Sequence, residues 1–297
     1  MGVISMTLQS AINEYLIEQR IRGNSDKTVC YYDVSLRIFV RYTDCVNLHD
    51  ITLNSLRGYY LSLTERNLST ITVQTYVRAL RSFLSWCYQQ EYTSVNLAEK
   101  FKLPKAQRKT VDVLTDTEIS CLLSCFNPRY FLQLRNLCIC SLMLDSGLRL
   151  NEVVTLSLQH VHVAEGYIIV DGKGNKQRIV PIGLSTRKYL LRYISRRPSC
   201  CNTDRVFILS NLEPITETTL RQLFRNLKSR SDIGRLRAHL LRHTFATRYL
   251  ENGGDMYSLQ QILGHTSLEM VKRYVHSTTR KIVPNFSKYS PLDNLHK

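Results

Sequence analysis

Between Lys100 and Thr110 the chain reads KFKLPKAQRKT, a basic run with Pro104 inside it and no apolar periodicity. No helix or strand pattern continues through such a stretch, so the apolar residues on either side of it must find separate cores. With 297 residues the chain can supply both, because a typical domain takes about 100–200. The expected layout is a helical domain over residues 1–100, a linker over 101–110 and a second domain over 111–297 that includes the C-terminal tail, with the break near residue 108.

The texture differs on the two sides. Before the linker, Val73, Tyr76, Val77, Leu80, Leu84 and Cys87 follow the spacing of a helix with one buried face. Leu8, Ile12, Tyr15 and Leu16 form a second stripe. Tyr31, Val34, Ile38 and Phe39 form a third, opened by Ser25 or Asp26 as N-cap. Thr52 or Asn54 opens another helix toward Arg66, which makes a bundle of four or five. After the linker, helices are expected over Thr115–Ser124 and Tyr130–Leu144. Three short β-rich runs follow, His160–Val163, Tyr167–Val170 and Gln177–Ile182, separated by Glu165-Gly166 and by Gly172–Asn175, which suits a small antiparallel sheet. Helical patterns resume at Ser185–Ser195, Glu217–Ser229, Ala238–Glu251, Ser258–Gly264 and Leu268–Val275. The expected fold class is mainly α with a small antiparallel β-sheet in the C-terminal domain.

Charge narrows the partner. The chain has 40 Lys+Arg against 24 Asp+Glu, a net charge of +16. A surplus that large favours a polyanion. No helix with Lys/Arg on one face and bulky apolar residues opposite points to a membrane surface instead. Residues 1–108 carry 13 basic and 9 acidic residues, so most of the excess lies in the second domain; Arg187–Arg237 alone holds 12 basic and 4 acidic. No apolar run reaches the roughly 18 residues needed to cross a bilayer, and MGVISMTLQS lacks the basic start and apolar stretch of a signal peptide, so a cytoplasmic chain is expected. The nine cysteines include no C-x-x-C pair: Cys121 and Cys125 sit one turn apart, Cys138 and Cys140 lie in the apolar LCICSLML, and Cys200 and Cys201 are adjacent. That pattern reads as reduced thiols, mostly core filler, with no metal site.

Five local motifs stand out, each with an ordinary explanation when taken alone. SGLRLNE (Ser146–Glu152) brings Arg149 and Glu152 to one helix face, which a surface ion pair would also explain. GKGNKQR (Gly172–Arg178) is a glycine-punctuated turn with Lys173 and Lys176, equally a solvated hairpin, and it lacks the G-x-x-x-x-G-K-[ST] pattern of a phosphate-cradling loop. HLLRHTF (His239–Phe245) sets His239 and Arg242 at i, i+3, with His243 about a third of a turn away. His265 after Gly264 suits a helix cap, and Tyr274 is one of 17 tyrosines, most of which serve packing.

Taken together, the motifs fit one chemistry. The two nonbridging oxygens of a phosphodiester match arginine's planar fork, and two convergent arginines would offset the extra charge of a pentacoordinate phosphorane. An in-line nucleophile and a general acid for the leaving sugar oxygen complete such a reaction. Two Arg, a Lys, two His and a Tyr contain all of these without a metal, and the sequence shows no Asp/Glu cluster of the two-metal kind.

In order and in spacing, Arg149 in SGLRLNE, Lys173 in GKGNKQRIVPI, His239 and Arg242 in HLLRHTFAT, His265 in LGH and Tyr274 nine residues later resemble the signature set of the tyrosine recombinase (phage integrase) family, nearest to its Xer-like and short mobile-element members. Essentially the whole chain takes part, since the first-domain helices resemble the family's SAM-like core-binding domain. The resemblance implies a two-domain, C-shaped clamp on double-stranded DNA that carries specific recombination sites. It implies that Tyr274 attacks the scissile phosphate to give a 3′-phosphotyrosyl link and a free 5′-hydroxyl, and that Arg149 and Arg242 hold the phosphate oxygens. Lys173 is then the general acid for the 5′-oxygen, with Lys176 ranked behind it. His239 assists proton transfer at the tyrosine, His265 hydrogen-bonds the phosphate and Glu152 orients its neighbours.

The covalent link stores the bond energy, so the resemblance implies no ATP, metal or other cofactor. It implies a homotetramer working through a Holliday junction, joined in some members by a second recombinase or an accessory DNA-bending protein. Two departures stand out. His160 occupies a position where such recombinases often carry an acidic residue, and Pro284 and Pro291 break the tail that docks on a neighbouring protomer in the family. With a helical pattern that starts by residue 7, no preceding arm-site domain is expected. Integration or excision of a mobile element is the expected role. The alternatives are Xer-type resolution of chromosome or plasmid dimers, type IB topoisomerase-like relaxation and non-catalytic DNA binding.

Overall fold

The structure is a computed structural model, and it describes residues 6–102, 111–172, 177–265 and 267–278. Lys173, Lys176, most of the expected linker and the tail with Pro284 and Pro291 lie outside the described residues. The chain divides into two compact units, residues 1–108 and 109–297.

In the first unit, α1 (Leu8–Ile21), α2 (Asp26–Tyr42), α3 (Leu53–Glu65), α4 (Thr70–Gln89) and the short α5 (Leu97–Lys100) surround one core. Each of the first four opens on a hydroxyl residue, Thr7, Ser25, Thr52 or Ser69, whose side chain accepts the backbone N–H three residues on. That satisfies an amide which a helix start would otherwise leave unpaired. α4 buries Val73, Val77, Leu80, Leu84 and Cys87, as its spacing predicts. Tyr15 of α1 meets Phe83 and Trp86 edge-on, with ring centroids 5.6 and 5.4 Å away, and donates its hydroxyl to Ser82 Oγ at 2.8 Å. α2 departs from its expected stripe: Val34 is exposed, and the buried face is Val29, Leu36 and Phe39. Tyr31 sits at the edge of that face because its hydroxyl must reach a partner, the Thr75 carbonyl at 2.7 Å.

In the second unit, α6 (Asp116–Ser124) leads to α7 (Phe131–Asp145), which buries residues on every side, from Leu134 to Met143. A helix apolar all round belongs at the centre of a core, and α7 packs against α9 (Leu184–Ser195) and α11 (Ala238–Glu251). Between α7 and α9 in the chain come the short α8 (Leu150–Thr155) and a three-stranded antiparallel sheet of β1 (Val161–His162), β2 (Tyr167–Asp171) and β3 (Gln177–Pro181), in the order β1-β2-β3. Ile168 and Val170 on β2 are buried, and Ile168 lies opposite the buried Val180 of β3, the alternation of a sheet with one covered face. α10 (Glu217–Ser231), α12 (Met256–Leu263) and α13 (Glu269–Thr278) are the other helices of this unit among the described residues. The molecule is thus mainly helical with one small antiparallel sheet, as the sequence predicts.

One cysteine expectation needs correction. All nine thiols are free, but only Cys87, Cys138 and Cys140 are buried; Cys30, Cys121 and Cys200 are exposed and the other three lie between. Core filling therefore explains a third of them, because the rest fall on outward helix positions and loops.

Candidate functional site

The site begins where α7 ends. Gly147 turns the chain with φ +64°, and a Cβ there would lie 2.5 Å from Phe245 and 2.8 Å from Leu263, so both the turn and the close packing require glycine. Ser146 Oγ donates to the Pro181 carbonyl at 2.8 Å, tying this turn to the end of β3. Arg149 immediately precedes α8, with extended backbone. It and Glu152 therefore meet across a helix start, not along a helix face: Glu152 Oε2 accepts from the Arg149 backbone N–H at 2.8 Å and Oε1 from Arg149 Nη1 at 2.9 Å. Glu152 is 5% exposed, Arg149 34%. Burial opposes the charge on Glu152, but hydrogen bonds from Arg178 and Arg149 outweigh it and hold the carboxyl below the usual carboxylate range.

Arg242 rises from the middle of α11 and is buried. Its Nη1 donates to the Gly147 carbonyl at 2.6 Å and its Nη2 to the Leu263 carbonyl at 2.8 Å, which fixes the plane of the guanidinium. Burial first, and Arg149 second, lower its pKa to about 10, so it remains charged at neutral pH. Gly264 caps α12 in the left-handed conformation, φ +61°, and its carbonyl receives Arg149 Nη2 at 3.3 Å. His265 follows, with Nε2 2.9 Å from Arg242 Nη2. A guanidinium only donates, so Nε2 is the acceptor and the ring proton sits on Nδ1, which is buried and has no partner among the described residues. Burial, then Arg242 and Arg149, push the His265 pKa down to about 4, which keeps the ring neutral.

Tyr274 projects from α13 into a small core of Ala246, Leu259, Leu263 and Val271 and is 4% exposed. Burial raises its pKa, with Arg242, Arg273 and Arg149 opposing, so the phenol is protonated at neutral pH. Its Oη lies 2.9 Å from His243 Nδ1. His243 is lowered to about 4 by burial and then by Arg273, and so is neutral too. His239, one turn earlier on α11, is exposed, with its ring centroid 6.4 Å from that of His243. The protein mass around it and then Arg242, Arg237 and Arg149 hold it below the usual histidine value.

The structure thus pairs Arg149 with Glu152 and Arg242 with His265, and brings the two pairs together where Arg149 reaches the carbonyl of Gly264, next to His265. It gives Tyr274 a histidine partner that is His243, not the His239 expected to assist it. Lys173 lies outside the described residues. Sequence reasoning passed over two residues. Arg178 on β3 donates from both Nη atoms to Glu152, each at 2.9 Å, and His243, a third of a turn from the His239–Arg242 pair, contacts Tyr274. Only the position of Arg178 inside GKGNKQR hinted at it. Three guanidiniums, Arg149, Arg178 and Arg242, face one carboxylate, and the two neutral imidazoles do not change that sum. A largely buried surplus of positive charge is a site for an anion.

A model of the phage integrase family matches residues 112–281, and one of the phage integrase SAM-like domain matches residues 7–103. The chain is 30% identical to the tyrosine recombinase XerD of Oceanobacillus iheyensis, over 96% of its own length and 99% of that protein's. It is also 30% identical to the tyrosine recombinase XerC of Pediococcus pentosaceus, over 96% and 98%. Among solved structures, its fold is like that of the Tn1549 transposon integrase in complex with transposon right end DNA (TM-score 0.77, 19% identity, 95% of this chain and 100% of that one). A lambda integrase tetramer bound to a Holliday junction also shares it (TM-score 0.71, 18% identity, 89% and 78%).

Proposed function

The chain belongs to the phage integrase family of tyrosine recombinases, and on that premise we propose how its residues divide the work of site-specific DNA strand transfer. The observation that carries the reading is the surplus of guanidinium charge around the half-buried Arg149 and the buried Arg242, in the same unit as a buried tyrosine whose phenol is already paired with a neutral imidazole.

Arg149 and Arg242 take the nonbridging oxygens of the scissile phosphate, and their fixed forks are worth most when the phosphorane gains its second negative charge. His265 sits beside Arg242 to meet the same phosphate. The Tyr274 oxygen attacks phosphorus in line: the Oη–P bond forms as the P–O5′ bond breaks, leaving a 3′-phosphotyrosyl link. The phenolic proton passes to the histidine side, where His243 touches the oxygen and His239 stands at the exposed end of the same helix face. Lys173, which the sequence places between β2 and β3, gives the proton that the 5′-oxygen needs. Attack by a 5′-hydroxyl of another strand reverses each step, so rejoining consumes no ATP.

Residues 1–100 serve as the core-binding domain on DNA, 101–110 as the linker and 111–297 as the catalytic domain. Four copies act on two duplexes through a Holliday junction. The lambda integrase tetramer on such a junction, a protein of like fold, supports that assembly. No helix among the described residues is long and apolar enough to cross a membrane. We place the protein in the cytoplasm as part of the same proposal, because that is where a recombinase of this kind meets its DNA. Integration or excision of a mobile element is the leading role. Xer-type dimer resolution is the second, favoured by relatives of that name that match along nearly the whole chain.

The test is a nicked suicide duplex carrying the DNA that flanks the gene, run on a denaturing gel. Wild-type protein is expected to give a covalent protein–DNA species on that duplex and not on a scrambled one, while Tyr274→Phe binds and gives none. Equal adducts from the variant would overturn the reading, and adducts on any duplex would favour a topoisomerase.

A further inference from the structure

Arg178, the second residue of β3, has no part in the roles above. Its Nη1 and Nη2 each donate to a different oxygen of Glu152 at 2.9 Å, and its Nε donates to the Ile262 carbonyl at 2.7 Å. The side chain is 12% exposed, so this bidentate pair is shielded and its geometry held on three sides. Glu152 accepts from Arg149 as well, so two guanidiniums share one buried carboxylate.

The sharing decides what Arg149 can do. Were Arg149 the only cation on Glu152, the buried carboxylate would draw that guanidinium onto both its oxygens and cancel its charge. With the fork of Arg178 already on Glu152, the negative charge is matched from the other side. Arg149 then keeps Nη1 on one carboxylate oxygen, rests Nη2 on the Gly264 carbonyl and leaves a third of its side chain open to solvent. The Nε bond adds a second constraint. It fixes the Ile262 carbonyl, two residues before Gly264, whose own carbonyl receives Arg149, and three before His265, which meets Arg242. Arg178 packs so closely under this turn that a Cβ on Gly264 would lie 3.0 Å from its Nη1.

We propose that Arg178 is a positioning residue for the scissile phosphate: it saturates Glu152 and braces the turn from Ile262 to His265, so that Arg149 and Arg242 present their charge to the anion. The proposal rests on the reading of those two arginines as the phosphate ligands.

The experiment measures strand cleavage by Arg178→Met and Arg178→Lys on the nicked duplex that gives the wild-type adduct, and on the same duplex with a methylphosphonate in place of the scissile phosphate. The methylphosphonate is uncharged, so it removes the need for guanidinium neutralisation and leaves the nucleophile and the general acid their tasks. Attack by Tyr274 still expels the 5′-oxygen, and the released 5′-hydroxyl strand is the readout for both substrates. Arg178→Met is expected to cleave the phosphate about 100-fold more slowly than wild type, on the scale of losing one preorganised charge-stabilising group. Arg178→Lys falls between the two, and both variants return close to the wild-type rate on the methylphosphonate. Equal slowing on the two substrates would overturn the proposal, because it is what a general defect of the fold gives; so would wild-type cleavage of the phosphate by Arg178→Met.

Two further proteins keep the outcomes apart. Glu152→Gln added to Arg178→Met removes the carboxylate charge that captures Arg149, and is expected to speed phosphate cleavage above the single variant; no gain counts against the proposal. Arg149→Ala is expected to be rescued by the methylphosphonate. If it is not, the assignment of Arg149 to the phosphate falls, and the role of Arg178 falls with it.

Discussion

Glu152 stays ionised at a buried position because two arginines share it, and Arg242 stays oriented because two carbonyls hold it. The histidines are tuned the other way. His243 and His265 have pKa values lowered to about 4, whereas an unfolded chain would titrate them near 6.5. Between those values the unfolded state binds more protons than the folded one. Stability is therefore expected to fall as pH drops from about 6.5 toward 4, and to be unaffected by these two groups above that window. Thermal melting across the range checks the sign, and His265→Asn should flatten the slope relative to wild type. The contact between His243 and Tyr274 makes its own prediction. His243→Ala, which removes the hydrogen-bond partner of the phenol, should slow adduct formation about tenfold, the value of one neutral hydrogen bond of roughly 1.4 kcal/mol. His243→Asn, which keeps an acceptor near the place of Nδ1, should lose less. Single-turnover rates on the nicked duplex measure both.

At the scale of elements, the site depends on turns that bring helix ends together. Gly147 is the clearest case: its positive φ and its contacts with Phe245 and Leu263 leave no space for a methyl group, and its carbonyl holds Arg242. Gly147→Ala is expected to destabilise the second unit by about 1–3 kcal/mol, by urea denaturation, and to slow cleavage as Arg242 loses its seat. Much of this layer was legible in the sequence. The stripe in α4 and the glycine-marked hairpin of β2 and β3 come from local spacing, and local spacing is what a sequence displays. The Arg149–Glu152 pair was legible too, although as a helix-face pair and not as the helix-start contact it is. Arg178 and His243 were not, because their partners stand 26 and 31 residues away and only the packing of β3, α8, α11 and α13 makes them neighbours. The buried face of α2 differs from its apolar stripe for a related reason: Tyr31 counts as apolar in a periodicity, but its hydroxyl commits it to the Thr75 carbonyl at the edge of the core.

At the scale of the whole molecule, one core in the first unit and, in the second, a larger core and the small one around Tyr274 support a chain with a net charge of +16. A polycation that grips DNA through phosphates releases counterions, so affinity is expected to fall steeply with salt. If six to ten phosphates are neutralised, the loss between 50 and 200 mM is about 10³–10⁵, readable by fluorescence anisotropy; a flat response would remove phosphate contacts as the source of binding. The central claim is narrower than binding: one tyrosine becomes covalently joined to a DNA 3′-phosphate. The measurement that tests it most directly is peptide mapping by mass spectrometry of the protein–DNA adduct trapped on the nicked duplex, after digestion of both protein and DNA. The account predicts a nucleotide attached through its 3′-phosphate to the peptide that contains Tyr274, and to no other. A nucleotide on a different tyrosine or on a serine, or an adduct that survives Tyr274→Phe, would contradict it.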